Sequence, residues 1–151
     1  MPQTLSCVYL HIVFSTKNRA GFLMDSGLRK KMHAYLAGIA ANQGCPAVRV
    51  GGVADHVHLL VRMGRGITQS DLLRELKRSS SVWVKTESGN LGDFAWQNGA
   101  GLFSISPGHV DAVCRYIENQ ESHHQEISFQ DEARSIFTKY GIEWDEHYVW
   151  E

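Results

Sequence analysis

His56 and His58 stand two residues apart in the stretch ADHVHLLVRM, residues 54–63. On a strand that spacing turns both imidazoles to one face, while Val57, Leu59 and Val61 point to the other. Such a pair supplies two ligands to a divalent cation, and a working site needs at least one more. Taken alone, the pair fits two packed or surface histidines better than a metal site. Further along, Tyr116 and Gln120 lie four apart in HVDAVCRYIENQESHHQ and share one helical face. Val110, Val113, Cys114 and Ile117 form the apolar stripe that docks this helix, and the Tyr116–Gln120 face sits roughly 90° round from it. One helix thus anchors itself and presents a phenol and a carboxamide on its flank. A phenol with a pKa of about 10 attacks poorly unless activated, but its covalent link to phosphate is stable. A cation held by two imidazoles and an amide oxygen would polarise a phosphodiester and offset its developing charge. That chemistry keeps the energy of the broken bond, as strand transfer requires and simple hydrolysis does not.

The elements that must position these groups are legible in the periodicity. Residues 5–16 alternate: Ser6 apart, the even positions Val8, Leu10, Ile12 and Phe14 are apolar, and the odd positions include Tyr9, His11 and Ser15. This is a strand with one core face and one mixed face. Leu28, Met32, Tyr35, Leu36 and Ile39 recur at helical spacing over 26–42, ending near the glycine of NQG. AVRVGGVADHVHLLVRM reads as a hairpin broken around Ala54–Asp55. Thr68 and Asp71 form a capping pair for a second helix, TQSDLLRELKRSSSVWVKTE. LFSIS is a short strand, after which Ser106 caps a third helix with Pro107 at its first position. Ser128 and Asp131 cap a last helix, FQDEARSIFTKY, stopped by Gly141. The order β-α-β-β-α-β followed by helices predicts an α+β fold, a ferredoxin-like split β-α-β antiparallel sheet in one domain over 1–151. Helices cover one face of such a sheet, and the catalytic helix is an addition at the C-terminal end. His56 and His58 turn toward the other face, which such a sheet leaves available.

Composition sets outer bounds. The chain has 151 residues, 43% hydrophobic and 21% charged, enough for one self-sufficient core. MPQTLSCVYLHIVFSTK has no basic region followed by a cleavage site, and no apolar run approaches the roughly 18–20 residues of a membrane span. Cys7, Cys45 and Cys114 make no zinc or disulfide pattern, which reads as free thiols in a cytoplasmic protein. The net charge of −1 is unevenly spread: residues 1–120 hold 13 Lys/Arg against 8 Asp/Glu, a net of +5, and residues 121–151 hold 2 against 8, a net of −6. A basic body with an acidic tail suits a polyanionic partner as well as an ordinary solvated surface.

DHVHLLV followed some sixty residues later by YIENQ resembles the HUH group of small single-tyrosine transposases, which serve insertion sequences that move as single-stranded DNA and have REP-associated transposases among their relatives. The likeness runs nearly end to end, through HIVFSTKNR, LKRSSS, QESHHQEISFQDE and GIEWDEHYVW. It implies that His56 and His58 are metal ligands, Gln120 the third ligand and Tyr116 the nucleophile. The cation implied is Mg²⁺ or Mn²⁺. The implied substrate is single-stranded DNA with hairpins near the element ends, cut to leave a 5′-phosphotyrosine and a free 3′-OH. A homodimer is implied too, in some relatives with active sites shared between subunits.

Other residues are read more plainly. Lys17, Asn18 and Arg19 cluster where the first strand ends, and Lys77, Arg78 and Lys85 line the second helix. Lys17, Arg19, Lys77, Arg78 and Lys85 are candidate phosphate contacts, with solvated charge as the alternative. His11 is expected to be a hydrogen-bonded structural residue, and His123 and His124 to lie at the surface. Trp83, Trp96 and Phe103 could stack on unpaired bases, though core packing suits them better. Two further functions fit the motifs: a domesticated protein that holds hairpin DNA without cutting it, and a metal-dependent hydrolase of small phosphodiesters.

Overall fold

A computed structural model describes residues 2–151. Strands β1 (Tyr9–Ser15), β2 (Ala47–Gly52), β3 (His56–Arg62) and β4 (Gly101–Ile105) form one antiparallel sheet in the order β2-β3-β1-β4. Helices α1 (Ser26–Asn42) and α2 (Gln69–Glu87) make the two crossovers. This is the expected split β-α-β arrangement. Two of the expected caps hold: Thr68 accepts from Asp71 N, and Ser128 accepts from Asp131 N. Ser106 makes no cap hydrogen bond, because its Oγ lies 2.7 Å from His109 Nδ1 instead. Gly44 and Gly141, just past their helices, take the positive φ that stops a helix there.

The even positions of β1, Leu10, Ile12 and Phe14, pack with Met32, Leu36, Leu72 and Leu76 into the larger core. The opposite face is not left open. After β4 the chain turns through Pro107–His109, a short 3₁₀ segment rather than the start of one long helix, into α3 (Val110–Glu118). Asn119 then breaks the helix, α4 (Gln120–His123) follows, and α5 (Phe129–Lys139) returns across the sheet. On this side Val13 and Phe103 pack against Phe129 and Ala133 of α5 in a second core. His56 and His58 do face this layer, as alternation requires, but α3–α5 bury both completely.

Two local features set the depth at which these helices lie. Gly51 pairs with His58 across the hairpin, and a Cβ there would come within 2.7 Å of both Ile117 Cγ2 and Ile117 O. A bare glycine lets α3 settle onto the sheet beside the histidines. Gly51→Ala is therefore expected to destabilise the fold by about 1–3 kcal/mol through overpacking, read by urea unfolding; an unchanged midpoint would mean that α3 moves aside freely. On α5, Arg134 donates to Glu146, whose carboxylate also accepts from Trp144 Nε1 and Trp150 Nε1. Asn98 N and Gly99 N donate to Glu151 O, so the C-terminal segment ties α5 to the loop before β4. Among the described residues no helix is long and apolar enough to cross a membrane.

Candidate active site

The buried side chains of β3 meet those of α3, α4 and α5 at one carboxylate. Glu132 is 2% exposed, and its Oε1 lies 3.1 Å from His58 Nε2, 3.3 Å from His56 Nε2 and 3.1 Å from His124 Nε2. The Tyr116 hydroxyl donates to Glu132 Oε2, which also accepts from Gln120 Nε2 at 3.1 Å. Gln120 Oε1 lies 3.1 Å from His56 Nε2. The four residues singled out by sequence spacing, His56, His58, Tyr116 and Gln120, thus gather around a fifth, Glu132. The break at Asn119 contributes to this, because it starts a new helical turn at Gln120 just beyond the end of α3.

The second ring nitrogens decide what the first can do. His124 Nδ1 lies 2.8 Å from Ile127 O, which can only accept, so neutral His124 turns a bare Nε2 lone pair toward Glu132 Oε1. That nitrogen is buried without a hydrogen-bond partner. His56 Nδ1 lies 2.7 Å from Asp55 Oδ1 and donates to it, which leaves neutral His56 Nε2 facing the oxygens of Gln120 and Glu132. His58 Nδ1 is 2.8 Å from His11 Nε2. A carboxylate or a backbone carbonyl behind a histidine, as Asp55 stands behind His56 and Ile127 O behind His124, is the usual way a ligating histidine is oriented. Acceptors converging in a buried space require cations, either protons or a metal. One ligand atom each from His56, His58, His124 and Glu132 lies within 4.8 Å of the others. This donor set fits a divalent cation.

Without a metal, a proton occupies that role. Burial works against the His56 cation, but the carboxylates of Asp55 and Glu132 outweigh it and lift its pKa to about 9. Burial would raise the Glu132 carboxyl, yet the surrounding imidazoles of His124, His56 and His58 hold it well below the usual carboxylate range. Burial keeps His58 neutral, and burial with the neighbouring His58 lowers His11 to about 3. Burial and the adjacent Glu132 charge push Tyr116 above its ordinary value, so the phenol stays protonated. The His56 proton must leave before Nε2 can ligate, so metal affinity is expected to climb as pH rises from 6.5 toward about 9 and to level off above it. The same shift stabilises the metal-free fold fully below pH 6.5, a contribution lost as pH passes through about 9. Calorimetric Mn²⁺ titrations across this range read the first effect; a flat profile would contradict it.

His11 is the hydrogen-bonded structural residue expected. His124 is not the surface residue expected: its side chain is 8% exposed, because α5 closes over it, whereas that of His123 is 33% exposed, with Nε2 3.3 Å from Glu132 Oε2. Neither Glu132 nor Asp55 is among the residues expected from sequence. The signal for Glu132 is its place beside Phe129, Ala133 and Ile136 on the apolar stripe of α5, where an acid must be paired.

The phosphate-contact candidates do not gather here. Lys77 Nζ donates to the carbonyls of Gln97, Asn98 and Gly99 at 2.5–3.0 Å, bracing the loop before β4. Arg78 pairs with Glu75, while Lys17 and Lys85 are exposed. Arg19 is half-buried, with NH1 3.5 Å from Trp150 O. Trp96 and Phe103 are buried, and Trp83 stacks on Tyr35 at 4.7 Å.

Residues 4–120 match the family model described as "Transposase IS200 like". The chain belongs to that family. The matched segment of this IS200-like transposase ends at Gln120, so it contains the HxH pair, Tyr116 and Gln120, while His124, Glu132 and α5 lie beyond it. No curated protein sequence matches the chain. A Deinococcus radiodurans R1 protein described as a transposase has a similar structure, with a TM-score of 0.64 at 23% identity, covering 80% of this chain and 95% of its own. A REP-associated tyrosine transposase bound to a REP hairpin gives 0.59 at 15% identity over 84% of this chain and 74% of that one. Both likenesses are of fold.

Proposed function

We propose that this transposase cuts and rejoins single-stranded DNA at hairpin-marked ends, with Tyr116 as nucleophile and a divalent cation held by His56 and His58. The single observation that carries this reading is that the Tyr116 hydroxyl and three imidazoles meet on one carboxylate, Glu132. Gln120 is the further ligand that the family resemblance implies, and its Oε1 faces the cluster beside His56 Nε2. His124 and Glu132 extend the donor set. Three imidazoles with a carboxylate suit manganese better than magnesium, which prefers an all-oxygen octahedron. When bound, the cation supplies Lewis-acid polarisation of the scissile phosphate and neutralises its developing charge.

The chain's own groups do the rest. Glu132 aims the phenol at the space beside the histidines and, while it stays anionic, keeps the phenol protonated. As the Tyr116 oxygen bonds to phosphorus, its proton passes to Glu132 Oε2, to which it already donates a hydrogen bond, and the bond from phosphorus to the 3′ oxygen breaks. The products are a 5′-phosphotyrosine and, after protonation of the leaving oxygen, a free 3′-OH. Attack on that link by another 3′-OH would join a new strand and restore the phenol. Within one chain the Tyr116 hydroxyl donates to Glu132 beside the histidines, which supports a site completed in cis; a homodimer would serve to hold two ends together.

The test is incubation of the protein with Mn²⁺ and a hairpin oligonucleotide copied from the palindromes flanking its gene. A covalent protein–DNA adduct that survives denaturation is expected. Tight binding with neither adduct nor cleavage would instead support the domesticated hairpin-binding protein, and cleavage of a dinucleotide without an adduct would support a hydrolase.

A further inference from the structure

Helices α3 and α5 do not close on each other beside Tyr116. They leave a cleft of about 690 Å³. One wall is a single helical face, His109, Ala112, Val113 and Tyr116, and the other is the matching face of α5, Ser135, Ile136 and Lys139, continued by Tyr140. The edge strand β4 floors the cleft with Ser104 and Ile105, and Ser106 stands at its end. Facing helical stripes normally interdigitate at 8–10 Å; these stand apart along a face that leads to the candidate nucleophile.

We propose that this cleft receives the unpaired nucleotide next to the scissile phosphate, an inference that rests on the strand-transfer reading above. Three observations select that occupant. Tyr116 lines the cleft together with Glu132, which accepts from its hydroxyl, so whatever fills it lies against the candidate nucleophile. Its walls pair apolar side chains, Val113, Ile136 and Tyr140, with the hydroxyls of Ser104, Ser106 and Ser135. A base, apolar on its faces and polar on its edge, matches that mixture. The charge is also right: the one carboxylate lining the cleft, Glu132, is engaged by histidines at the deep end, while Lys139 is exposed at the mouth, where a phosphate would lie. The α5 wall lies beyond the residues matched by the family model.

The experiment uses the full chain and a short oligothymidylate carrying one 4-thiothymidine, photo-cross-linked and mapped by mass spectrometry. Cross-links are expected in residues 109–113 and 135–140, competed by single-stranded but not duplex DNA. Ala112→Trp fills the cleft from an exposed α3 position and should cut the cross-link by about tenfold, the size of one lost base-stacking contact. Lys139→Gln, which leaves the walls intact, should weaken binding by a few-fold and flatten its salt dependence by about one phosphate contact. Cross-links mapping elsewhere, or unchanged in both variants, overturn the inference. Because the adduct assay is separate, an adduct with cross-links outside the cleft leaves the transferase and removes this pocket. Cross-links inside it without an adduct keep the pocket and remove the transferase. Neither signal removes both.

Discussion

Tyr116→Phe is expected to lower single-turnover cleavage of a hairpin oligonucleotide by a factor on the order of 10⁶, the scale seen when a nucleophile is deleted and the rest of a site remains. DNA affinity should stay within about twofold, because the ring is unchanged and only a hydroxyl is lost. The substitution removes one hydrogen bond to Glu132, so it costs the fold only about 1 kcal/mol. It also frees one carboxylate oxygen, and metal affinity should hold or rise. That combination, chemistry lost with metal binding kept, separates a nucleophile from a structural tyrosine. Residual cleavage above a tenth of the wild-type rate would remove Tyr116 from its assigned role.

The second large effect is at Glu132. Glu132→Gln keeps the volume and removes the charge, and Mn²⁺ affinity is expected to fall by about 100-fold or more, beyond the 10–100-fold typical of a residue behind a ligand. The proton on His56 should become easier to lose as well, since Glu132 is one of the two carboxylates that hold it. His124→Ala should cost less, because it removes one neutral donor of four. Calorimetry on the metal-free protein measures both. Wild-type affinity in the glutamine variant would restrict Glu132 to aiming the phenol.

Much of this site is legible in the chain because two periods do the placing. Period-two alternation puts His56 and His58 on one face of β3, and the four-residue spacing brings Tyr116 and Gln120 together although the break at Asn119 places them on α3 and α4. The capping pairs Thr68–Asp71 and Ser128–Asp131 are local chemistry and appear as expected. The covering of the second sheet face is not legible in the same way. It depends on how far α3 sinks onto Gly51 and on the return of α5, both long-range packing events. For that reason His124 reads as surface in the sequence and lies buried in the fold, and Glu132 is hidden by its neighbour Asp131, which attends the cap. Lys77 is a different case: a lysine on a basic helix suggests phosphate, while in the fold its three donors meet three carbonyls.

The central claim is that Tyr116 forms a covalent bond to DNA at a metal-dependent site. Its most direct test is peptide mapping of the wild-type protein after incubation with Mn²⁺ and the hairpin oligonucleotide. The expected result is a nucleotide joined through its 5′ phosphate to Tyr116, absent when the metal is chelated. A nucleotide attached to any other residue, or cleavage that leaves Tyr116 unmodified throughout the time course, would contradict it.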